Sequence, residues 1–543
     1  MDLHIESKFT LCVLPTQLGK TFTAISKIII EIDQDDDLGR SIHIICTMNT
    51  LLNNAQFAKR LETIELKYGE GSICVFSSKY KGTYTHVKNK AGLQGICLDK
   101  STCPRVVVMC SNTRRYDDGV KFLGVINDNK TNICRAFAYY DELHNYINNK
   151  LRTQIETIHN LDIVKGITAL TATPDRIFQK EGFWSKIKLI KLDELSDSNY
   201  AGYKDMIFNC IDNFFVNPYI RPRSFDEIDR QIVGFIENVL IKYPAILGDN
   251  TISFIPAHIR RIGHTAVRDL VFRINNNAVV VVINGIEKTL QYKDCSGNTK
   301  TLALASDDEE EVCITISRLV LQHNLQTRPI VITGFICVGM GQTLTHNSLG
   351  SFTSAIFGHL DLSNDGIYQL FGRITGRMKD WGDDKYTQTE VYCPTIIMNR
   401  CIVMEKCARN MACDYNGGVV SQENYREPMT VMGYDGQSTI DNIRHPNKNK
   451  NIKIKSEDTD KDHMVFETQD EAITFGKTLG AKLSKRSSSV APKELQRTDG
   501  TNLSIVELFK RMWGINAKNR VRMIPTSDNK WCVYWRPSLI KNE

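Results

Sequence analysis

The chain has 543 residues, of which 42% are hydrophobic and 24% are charged. This composition is typical of a folded globular protein. It excludes a chain that is disordered over most of its length, a collagen-like chain and a disulfide-stapled scaffold. Lys and Arg number 68 against 62 Asp and Glu, so the formal net charge is only +6 and does not by itself define a partner.

Short apolar runs alternate with helical patterns along the first half of the chain. FTLCVLP is followed by a turn, the helical pattern TAISKIIIEI and the run SIHIICT; RVVVMCS, RAFAYYDE and VKGITALTATP come later. A second set begins near residue 250 with TISFIPA, AVVVVING, RPIVITGF and SFTSAIFGHL. Near-continuous apolar strands that alternate with helices are typical of parallel sheets covered on both faces. The sequence therefore predicts an α/β fold with two parallel-sheet domains in tandem.

Four segments are predicted along the chain. Residues 1–200 and 201–400 form the two α/β domains, 401–475 form a connector with a polar linker, and 476–543 form a basic accessory region. The linker is placed by residues 441–462, which are rich in Asn, Lys and Asp and almost free of apolar side chains. Such a segment cannot bury enough apolar surface to fold on its own.

The segment LPTQLGKT, residues 14–21, joins the first predicted strand to the first helix. Gly19, Lys20 and Thr21 would open that helix, where free backbone N–H groups and the helix dipole favour an anion. Lysine and threonine at these positions suit the phosphates of a nucleotide and Mg²⁺. The complete phosphate-loop pattern requires glycine at position 14, where this chain has Leu14. Taken alone, the sequence GKT after a strand is as often an ordinary helix start as a phosphate-binding loop.

A second segment, RAFAYYDELH, places Asp141 and Glu142 at the carboxyl end of another predicted strand. Ligands of parallel sheets bind outside the carboxyl ends of the strands, so the two carboxylates would lie near Lys20. Asp141 would hold Mg²⁺ through water and Glu142 would orient the attacking water. In isolation, the same pair would more often be a solvated acidic turn.

These two segments, with LTATP (170–174), VITGFICVGMGQTL (331–344) and QLFGRITGR (369–377), resemble motifs I, II, III, V and VI of superfamily 2 helicases and translocases of the DExH type. The five occur in the family's order and cover roughly residues 9–380. The resemblance implies two RecA-like domains that close on ATP and Mg²⁺, with nucleic acid lying across both. The box reads DELH, neither DEAD nor DEAH, so it does not separate DNA from RNA substrates.

The resemblance also implies roles for individual residues. The nucleotide would be bound by Thr16, Gln17, Gly19, Lys20, Thr21 and Gly341. Lys20, Asp141 and Glu142 would serve hydrolysis, with Thr21 and Asp141 as the ligands of Mg²⁺. The residues implied to couple the nucleotide state to the nucleic acid are His144, Thr171 and Thr173.

The last of the five segments departs from the family pattern Q-x-x-G-R-x-x-R. Gln369, Gly372 and Arg373 match it, but position 376 is glycine and the second arginine is Arg377. One guanidinium must reach the γ-phosphate to neutralise the charge that develops during transfer. Both arginines are candidates, with Arg377 slightly favoured; the alternative is that both pair with surface carboxylates.

Contacts with nucleic acid are predicted where polar residues follow strands. The candidates in the two α/β domains are Thr47, Asn49, Arg114, Arg115 and Thr333. Hydroxyl, amide and guanidinium groups at strand ends can bind backbone phosphates. Helix capping explains the first two equally well, and a solvated basic loop explains the arginines.

Positive charge and aromatic rings concentrate at the end of the chain. Residues 476–543 hold 14 Lys and Arg against 5 Asp and Glu, a net +9, and three of the five tryptophans fall in the last 31 residues. Arg522, Trp531 and Trp535 represent this combination, in which cations neutralise phosphates and rings stack on bases of single strands. The alternation in KWCVYWRP also suits a strand whose rings pack into a small core.

Sixteen cysteines are spread from Cys12 to Cys532 without the spacing of a disulfide framework. The cluster Cys393, Cys401, Cys407 and Cys413 lacks the paired spacing of a zinc site, so buried thiols are favoured over a metal. The sequence shows neither a secretory signal nor an apolar run of about 18 residues. An intracellular, non-secreted protein with reduced thiols is therefore expected.

The function predicted from these features is that of an ATP-dependent helicase or translocase, with DNA favoured as the substrate. An RNA helicase or RNA-dependent ATPase using the same core is the first alternative. A nucleic-acid-binding protein with a degenerate nucleotide site is the second, because of Leu14 and the shifted Arg377. The compact length is also similar to that of helicases encoded by large DNA viruses and phages, which would place the protein in a host cell or virion.

Overall fold

The computed structural model describes residues 8–47, 57–78, 80, 82–98, 103–128, 133–190, 199–212, 225–304, 311–335, 343–414, 419–431, 463–478, 522–525 and 530–534. The chain divides into two compact units, Met1–Arg444 and His445–Glu543. The first unit contains two large sheets, and the second contains one small sheet.

The first sheet has nine strands, most of them apolar runs that the sequence predicts. They are β1 (Phe9–Val13), β2 (Ser41–Thr47), β3 (Ile73–Phe76), β4 (Thr85–Val87), β5 (Val106–Cys110), β6 (Arg135–Asp141), β7 (Val164–Thr171), β8 (Ile187–Leu189) and β17 (Val419–Val420). Their order is β17-β8-β1-β7-β6-β2-β5-β3-β4. All neighbours are parallel except β17 and β8. The carboxyl ends of β1, β6 and β7 therefore meet at one edge.

Helices cover this sheet, as parallel connections require. They are α1 (Lys20–Asp33), α2 (Asp35–Leu38), α3 (Glu62–Tyr68), α4 (Lys90–Leu98), α5 (Thr113–Asp128) and α6 (Asn149–His159). Helix α1 buries Ala24, Ile25, Ile28 and Ile32, whose three- and four-residue spacing gives one apolar face. That face fixes the helix against the sheet and holds its first turn at the sheet edge.

The second sheet has eight strands: β9 (Ile207–Cys210), β10 (Ile252–Phe254), β11 (Val279–Ile283), β12 (Lys288–Lys293), β13 (Thr299–Ala303), β14 (Ile330–Gly334), β15 (Ser354–Ile356) and β16 (Glu390–Cys393). Their order is β13-β12-β11-β14-β10-β15-β16-β9. The six strands from β11 to β9 are parallel, whereas β12 and β13 add antiparallel neighbours. The Asn284 carboxamide accepts the N–H groups of Ile286 and Glu287 at 2.9 and 2.7 Å and closes the turn that reverses the chain.

The helices of this second region are α7 (Phe225–Lys242), α8 (Arg261–Ile274), α9 (Val312–Gln322), α10 (Asn364–Phe371), α11 (Thr395–Arg409) and α12 (Gln422–Val431). After α11 the chain returns to the first sheet, where it forms β17 beside β8. Arg426 of α12 forms two 2.7 Å hydrogen bonds to the Asp175 carboxylate. Part of the predicted connector thus packs on the first domain, and the four predicted segment boundaries remain predictions.

The second unit contains β18 (His463–Phe466), α13 (Gln469–Thr478), β19 (Arg522–Pro525) and β20 (Trp531–Tyr534). Its three strands are antiparallel in the order β18-β20-β19. Val533 is buried and the rings of Phe466 and Phe475 lie 5.1 Å apart, so a small core exists. The strand predicted from KWCVYWRP is β20.

The predicted fold class is confirmed. The first unit is α/β, with two mostly parallel sheets in tandem, as expected of two RecA-like domains, and a separate small unit follows. Among the helices of the described ranges, none combines the length and the apolar character that crossing a bilayer requires.

Candidate nucleotide site in the cleft between the two sheets

The loop between β1 and α1 has the shape of a phosphate-binding turn. Gly19 precedes α1 at φ 111°, a left-handed conformation that favours glycine, and the helix then begins at Lys20. The Leu14 side chain is 1% exposed within the apolar core, and its backbone N–H donates to the Thr171 carbonyl at 3.2 Å. The side chain that replaces glycine at position 14 therefore packs in the apolar core.

Lys20 and Glu142 form a buried ion pair across the sheet edge. The Lys20 Nζ lies 3.3 Å from the Glu142 Oε1 atom. Glu142 has φ 50°, a left-handed conformation that costs a non-glycine residue on the order of 1–3 kcal/mol. Such strain is retained where the surrounding structure holds a functional side chain in place. The Glu142 carboxylate therefore contacts the amino group of Lys20, which the sequence predicts to bind phosphate.

The two neighbouring carboxyls have opposite electrostatic environments. Burial raises the pKa of Asp141 to about 7, and the charge of Glu142 adds to this effect. Burial also acts to raise the pKa of Glu142, but Lys20, His144 and Arg373 outweigh it and hold that pKa below its usual range. Glu142 is therefore ionised at neutral pH, while for Asp141 burial and the charge of Glu142 outweigh the opposing charges of Lys20 and Arg60.

His144 joins the second predicted motif to the third. Its Nδ1 atom lies 2.6 Å from the Thr171 hydroxyl and 3.4 Å from the Glu142 carboxylate. The Thr173 backbone N–H donates to the same hydroxyl at 3.0 Å. Burial lowers the pKa of His144 to about 4, so the ring is neutral. The three residues predicted to couple the two ligands are therefore in direct contact with one another.

The second domain completes this network through α10 and the turn that follows it. Gln369 Nε2 donates to Glu142 at 3.5 Å. The Arg373 side chain is buried, and burial lowers its pKa to about 10 although the charge of Glu142 acts in the opposite direction. Arg377, which the sequence slightly favours as the catalytic arginine, is exposed. The structure places Arg373, the residue that matches the family pattern, beside the carboxylate.

The same turn contacts the phosphate loop directly. Gln17 Nε2 donates to the Gly372 carbonyl at 3.0 Å, and the Thr375 hydroxyl donates to the Thr16 carbonyl at 3.2 Å. A Cβ on Gly372 would lie 2.5 Å from the Thr16 side chain, so only glycine fits there. The side chains of Thr16 and Gln17, predicted as nucleotide ligands, thus bind the opposite domain.

Several residues that form contacts in the cleft were not predicted from the sequence. The Tyr200 hydroxyl donates to the Thr16 carbonyl at 2.9 Å. Arg60 forms a 3.0 Å ion pair with Glu311 of the second domain. Thr375 lies inside QLFGRITGR, so its hydroxyl could have been identified from position; Tyr200, Arg60 and Glu311 stand in no recognisable pattern.

These side chains fit a nucleoside triphosphate with Mg²⁺. Lys20 is paired with a carboxylate that can release it to a phosphate, and Thr21 follows it in the first turn of α1. Mg²⁺ bound with phosphates requires one or two carboxylates and keeps several waters. Asp141, raised in pKa by burial, is the carboxyl that a cation would stabilise. Within the described ranges, no group of three or more His, Cys, Asp or Glu could hold a metal by itself.

The predicted nucleic-acid contacts are placed unevenly. Thr47 is buried with its hydroxyl 3.4 Å from the Met109 carbonyl, and Thr333 is buried within β14. Arg115 is also buried, with its guanidinium 4.1 Å from the Phe76 ring centre and 2.9 Å from the Lys88 carbonyl. These three side chains face inward because each packs against a neighbouring strand or loop, which sequence position did not reveal. Arg114 is exposed.

Three candidates, Asn49, Gly341 and Trp535, lie outside the described residues. Arg522 opens β19, and Trp531 opens β20 with a half-buried side chain. Cys393, Cys401 and Cys407 are buried thiols, and burial raises the pKa of the first two well above the usual range.

Comparison with protein-family models and with curated proteins finds no match for this chain. Solved structures with a similar fold include the E. coli DExH-box NTPase HrpB, at 11% identity and a TM-score of 0.39 over 79% of this chain and 47% of that chain. This chain thus spans about half the length of HrpB. The DEAD-box helicase Mss116 bound to ssRNA and UDP-BeF has 11% identity and a TM-score of 0.42, over 81% of this chain and 82% of that one.

The Pyrococcus furiosus Hef helicase domain has 10% identity and a TM-score of 0.36, over 72% of this chain and 94% of that domain. Because all three TM-scores are below 0.5, these likenesses carry no weight in assigning an activity. The side chains of the cleft provide the basis for a proposal.

Proposed function

We propose that this protein hydrolyses ATP in the cleft between its two α/β domains and uses the cycle to move along nucleic acid, separating or remodelling DNA. One observation carries the proposal: a continuous set of contacts runs from the phosphate loop through the acidic motif and is closed from the second domain. Its members are Lys20, Glu142, His144, Thr171, Gln369 and Arg373.

Each residue of this set has a chemical role that its environment supports. ATP with Mg²⁺, when bound, supplies the phosphoryl group and the cation that shares its charge. Lys20 and the amides at the start of α1 bind phosphate oxygens, and Thr21 and Asp141 would hold the cation. Glu142, held ionised by its basic neighbours, orients the attacking water. Arg373, rather than Arg377, neutralises the charge that develops on the transferred group.

The contacts between the domains make hydrolysis depend on closure of the cleft. Gln369 and Arg373 reach Glu142 from the second domain, so opening the cleft removes both. A strand lying across both domains would therefore alter the hydrolytic site whenever it changes their separation. Arg114 on the first domain and the basic second unit are the proposed surfaces for the strand, with Trp531 and Arg522 within that unit.

An ATPase and unwinding panel tests the proposal. We expect ATP hydrolysis to be stimulated by single-stranded nucleic acid, with DNA more effective than RNA of the same length. Lys20→Ala and Glu142→Gln should each lower the turnover at least 100-fold while nucleic-acid binding is largely retained. Lys186→Ala, at an exposed lysine outside the cleft contacts, is the control and should keep wild-type turnover.

The outcomes separate the candidate functions. Stronger stimulation by RNA would assign the protein to RNA, the first alternative. Binding of nucleic acid without any stimulated hydrolysis would establish a degenerate nucleotide site. The position of Leu14 in the apolar core argues against that second alternative.

A further inference from the structure

A cavity of about 200 Å³ lies between the two α/β domains. It is lined on the first domain by His144, Asn145 and Arg176, and on the second by Phe335, Leu362 and Gln369, among others. Its walls are mainly apolar. Two of the lining residues, His144 and Gln369, also contact the Glu142 carboxylate, so the cavity adjoins the hydrolytic site. The motifs do not assign a ligand to it.

The size of the cavity limits its occupant to one small planar ring system. A cavity of about 150 Å³ is large enough for benzene. Sites for whole drug-sized ligands or cofactors usually measure about 300–1,000 Å³, so a complete nucleotide does not fit. Arg176 and Asp365 both line the cavity, and their opposite charges leave it without a net charge. A phosphate therefore has no preference for it, whereas an uncharged ring does.

The polar atoms of the cavity favour a ring with hydrogen-bonding edges. His144 is 2% exposed, and its Nε2 atom has no hydrogen-bond partner within the described part of the chain. The carboxamides of Asn145 and Gln369 offer further neutral donors and acceptors. An unpartnered buried polar atom costs about 1–3 kcal/mol, so a ligand that satisfies Nε2 stabilises the site.

Phe335 supplies a flat apolar wall. Its ring stacks on His359 with an interplanar angle of 14° and 5.8 Å between ring centres, and the His258 ring centre lies 5.1 Å away. Its neighbour His359 is held in turn by a 2.8 Å hydrogen bond to the Ala257 carbonyl, so the stack is fixed. Aromatic walls combined with neutral hydrogen-bonding groups are the means by which proteins bind an unpaired base.

We propose that this cavity receives one unpaired nucleobase of the strand bound across the two domains. The inference rests on the proposed function and adds a specific contact to it. A base in the cavity would meet His144, whose other ring nitrogen lies 2.6 Å from the Thr171 hydroxyl and 3.4 Å from Glu142. A single side chain thus connects the base to the carboxylate that orients water, and the base spans both domains and favours their closure.

The test compares an intact oligothymidylate with a strand of the same length and charge that lacks its bases. Wild-type ATPase activity should be stimulated about tenfold less by the abasic strand, because base–aromatic stacking is lost. Phe335→Leu keeps an apolar side chain against His359 but removes the flat ring. It should reduce stimulation by the intact strand to the abasic level and leave basal turnover unchanged.

Phe183→Leu is the matched control. Phe183 is also half-buried and also stacks on a histidine, His159, at 5.3 Å, but it packs against Phe9 at the opposite end of β1 from the phosphate loop. It should behave as wild type, and Phe335→Trp should restore stimulation. Full stimulation of the wild type by the abasic strand, or equal losses in Phe335→Leu and Phe183→Leu, would overturn the proposal.

A second readout does not depend on hydrolysis. A strand with one 2-aminopurine should change its emission on binding to the wild type as the base leaves its neighbours, and Phe335→Leu should abolish that change. If no strand stimulates the ATPase, the proposed function fails, and this readout still decides whether a base enters the cavity. Free 2-aminopurine riboside should not reproduce the change at the concentration of strand used. If the riboside does so while the strand does not, the occupant is a free nucleoside and the strand proposal is overturned.

Discussion

The carboxyl edges of the two large sheets are built differently. At the first edge, Lys20 and Glu142 form a pair that depends on Arg373 from the other domain for its electrostatic balance. At the second edge, His258 Nε2 lies 2.9 Å from Asp361, and both residues belong to the same domain. Asp229 also belongs to that domain and binds Arg260 at 2.7 Å.

This difference separates a shared site from a self-contained one. The first edge is complete only when the domains meet, so its chemistry can respond to their separation. The hydrogen bond at the second edge lies within one domain, because His258 and Asp361 join the loops that follow β10 and β15. We therefore expect changes at Lys20 and Glu142 to affect turnover and changes at the His258–Asp361 pair to affect stability.

The largest expected effect comes from removing the contribution of the second domain to the first edge. Arg373→Ala should lower kcat on the order of 1,000-fold, because the buried guanidinium is lost from the side of Glu142. Arg377→Ala, at an exposed side chain, should change kcat less than threefold. Steady-state kinetics measures kcat for the two variants, and circular dichroism confirms that both are folded. A larger loss in Arg377→Ala would return the role to that residue.

At the second edge, Asp361→Asn should destabilise the fold by about 2 kcal/mol, since it weakens a buried hydrogen bond to His258. The kcat of the folded variant should remain within a factor of about three. Urea unfolding measures the first quantity and ATPase kinetics the second. Wild-type stability combined with a large loss of kcat would show that the second edge takes part in chemistry.

The two edges should respond to pH in opposite directions. The pKa of Asp141 is raised to about 7 in the folded protein, so its contribution to stability is full below about pH 4 and is lost as the pH rises toward 7. Unfolding curves in EDTA without nucleotide should show this slope in the wild type and not in Asp141→Asn. An identical slope in both would assign the titration to another group.

Burial acts to raise the pKa of Asp361, but hydrogen bonding to His258 and the charge of that ring hold it below its usual range. Its contribution is therefore present above about pH 4 and is lost as the pH falls through the lowered value. Asp361→Asn should flatten the acid limb of the stability profile and leave the limb between pH 4 and 7 unchanged. Loss of the upper limb instead would contradict the assignment.

The smallest expected effect concerns the second unit. Removing His445–Glu543 takes away the segment whose last 68 residues carry a net +9. Binding to single-stranded DNA should weaken and its dependence on salt should become less steep, because fewer counterions are released. Fluorescence anisotropy at several salt concentrations measures both. An unchanged salt slope would show that the two α/β domains provide the phosphate contacts alone.

Sequence patterns predicted the parts of the molecule that depend on local order. Apolar runs marked β1, β6 and β7, and the rule that ligands lie at strand ends placed Lys20 beside Glu142, as the structure shows. His144 follows β6 and Thr171 ends the adjacent strand β7, which explains their contact. Their coupling role, which the family resemblance implies, remains a prediction. Neighbouring parallel strands convert sequence order directly into spatial order.

The features that depend on long-range packing could not be read in this way. Burial of Arg373 and exposure of Arg377 are set by the turn after α10, which a four-residue spacing does not determine. Arg114 and Arg115 are the same residue type and are neighbours in the sequence, yet Arg115 packs over the Phe76 ring. The extra strands β12 and β13 are formed by a reversal at Asn284 that interrupts the parallel pattern.

The return of the chain to β17 has a mechanical consequence. The polypeptide passes from the first sheet to the second between β8 and β9, and it passes back between α11 and β17. A body attached to another at two separate points cannot swing freely about either one. Its easiest motion is a hinge rotation about the line that joins the two attachment points. We therefore expect the cleft of this protein to open mainly about an axis that these two covalent connections set.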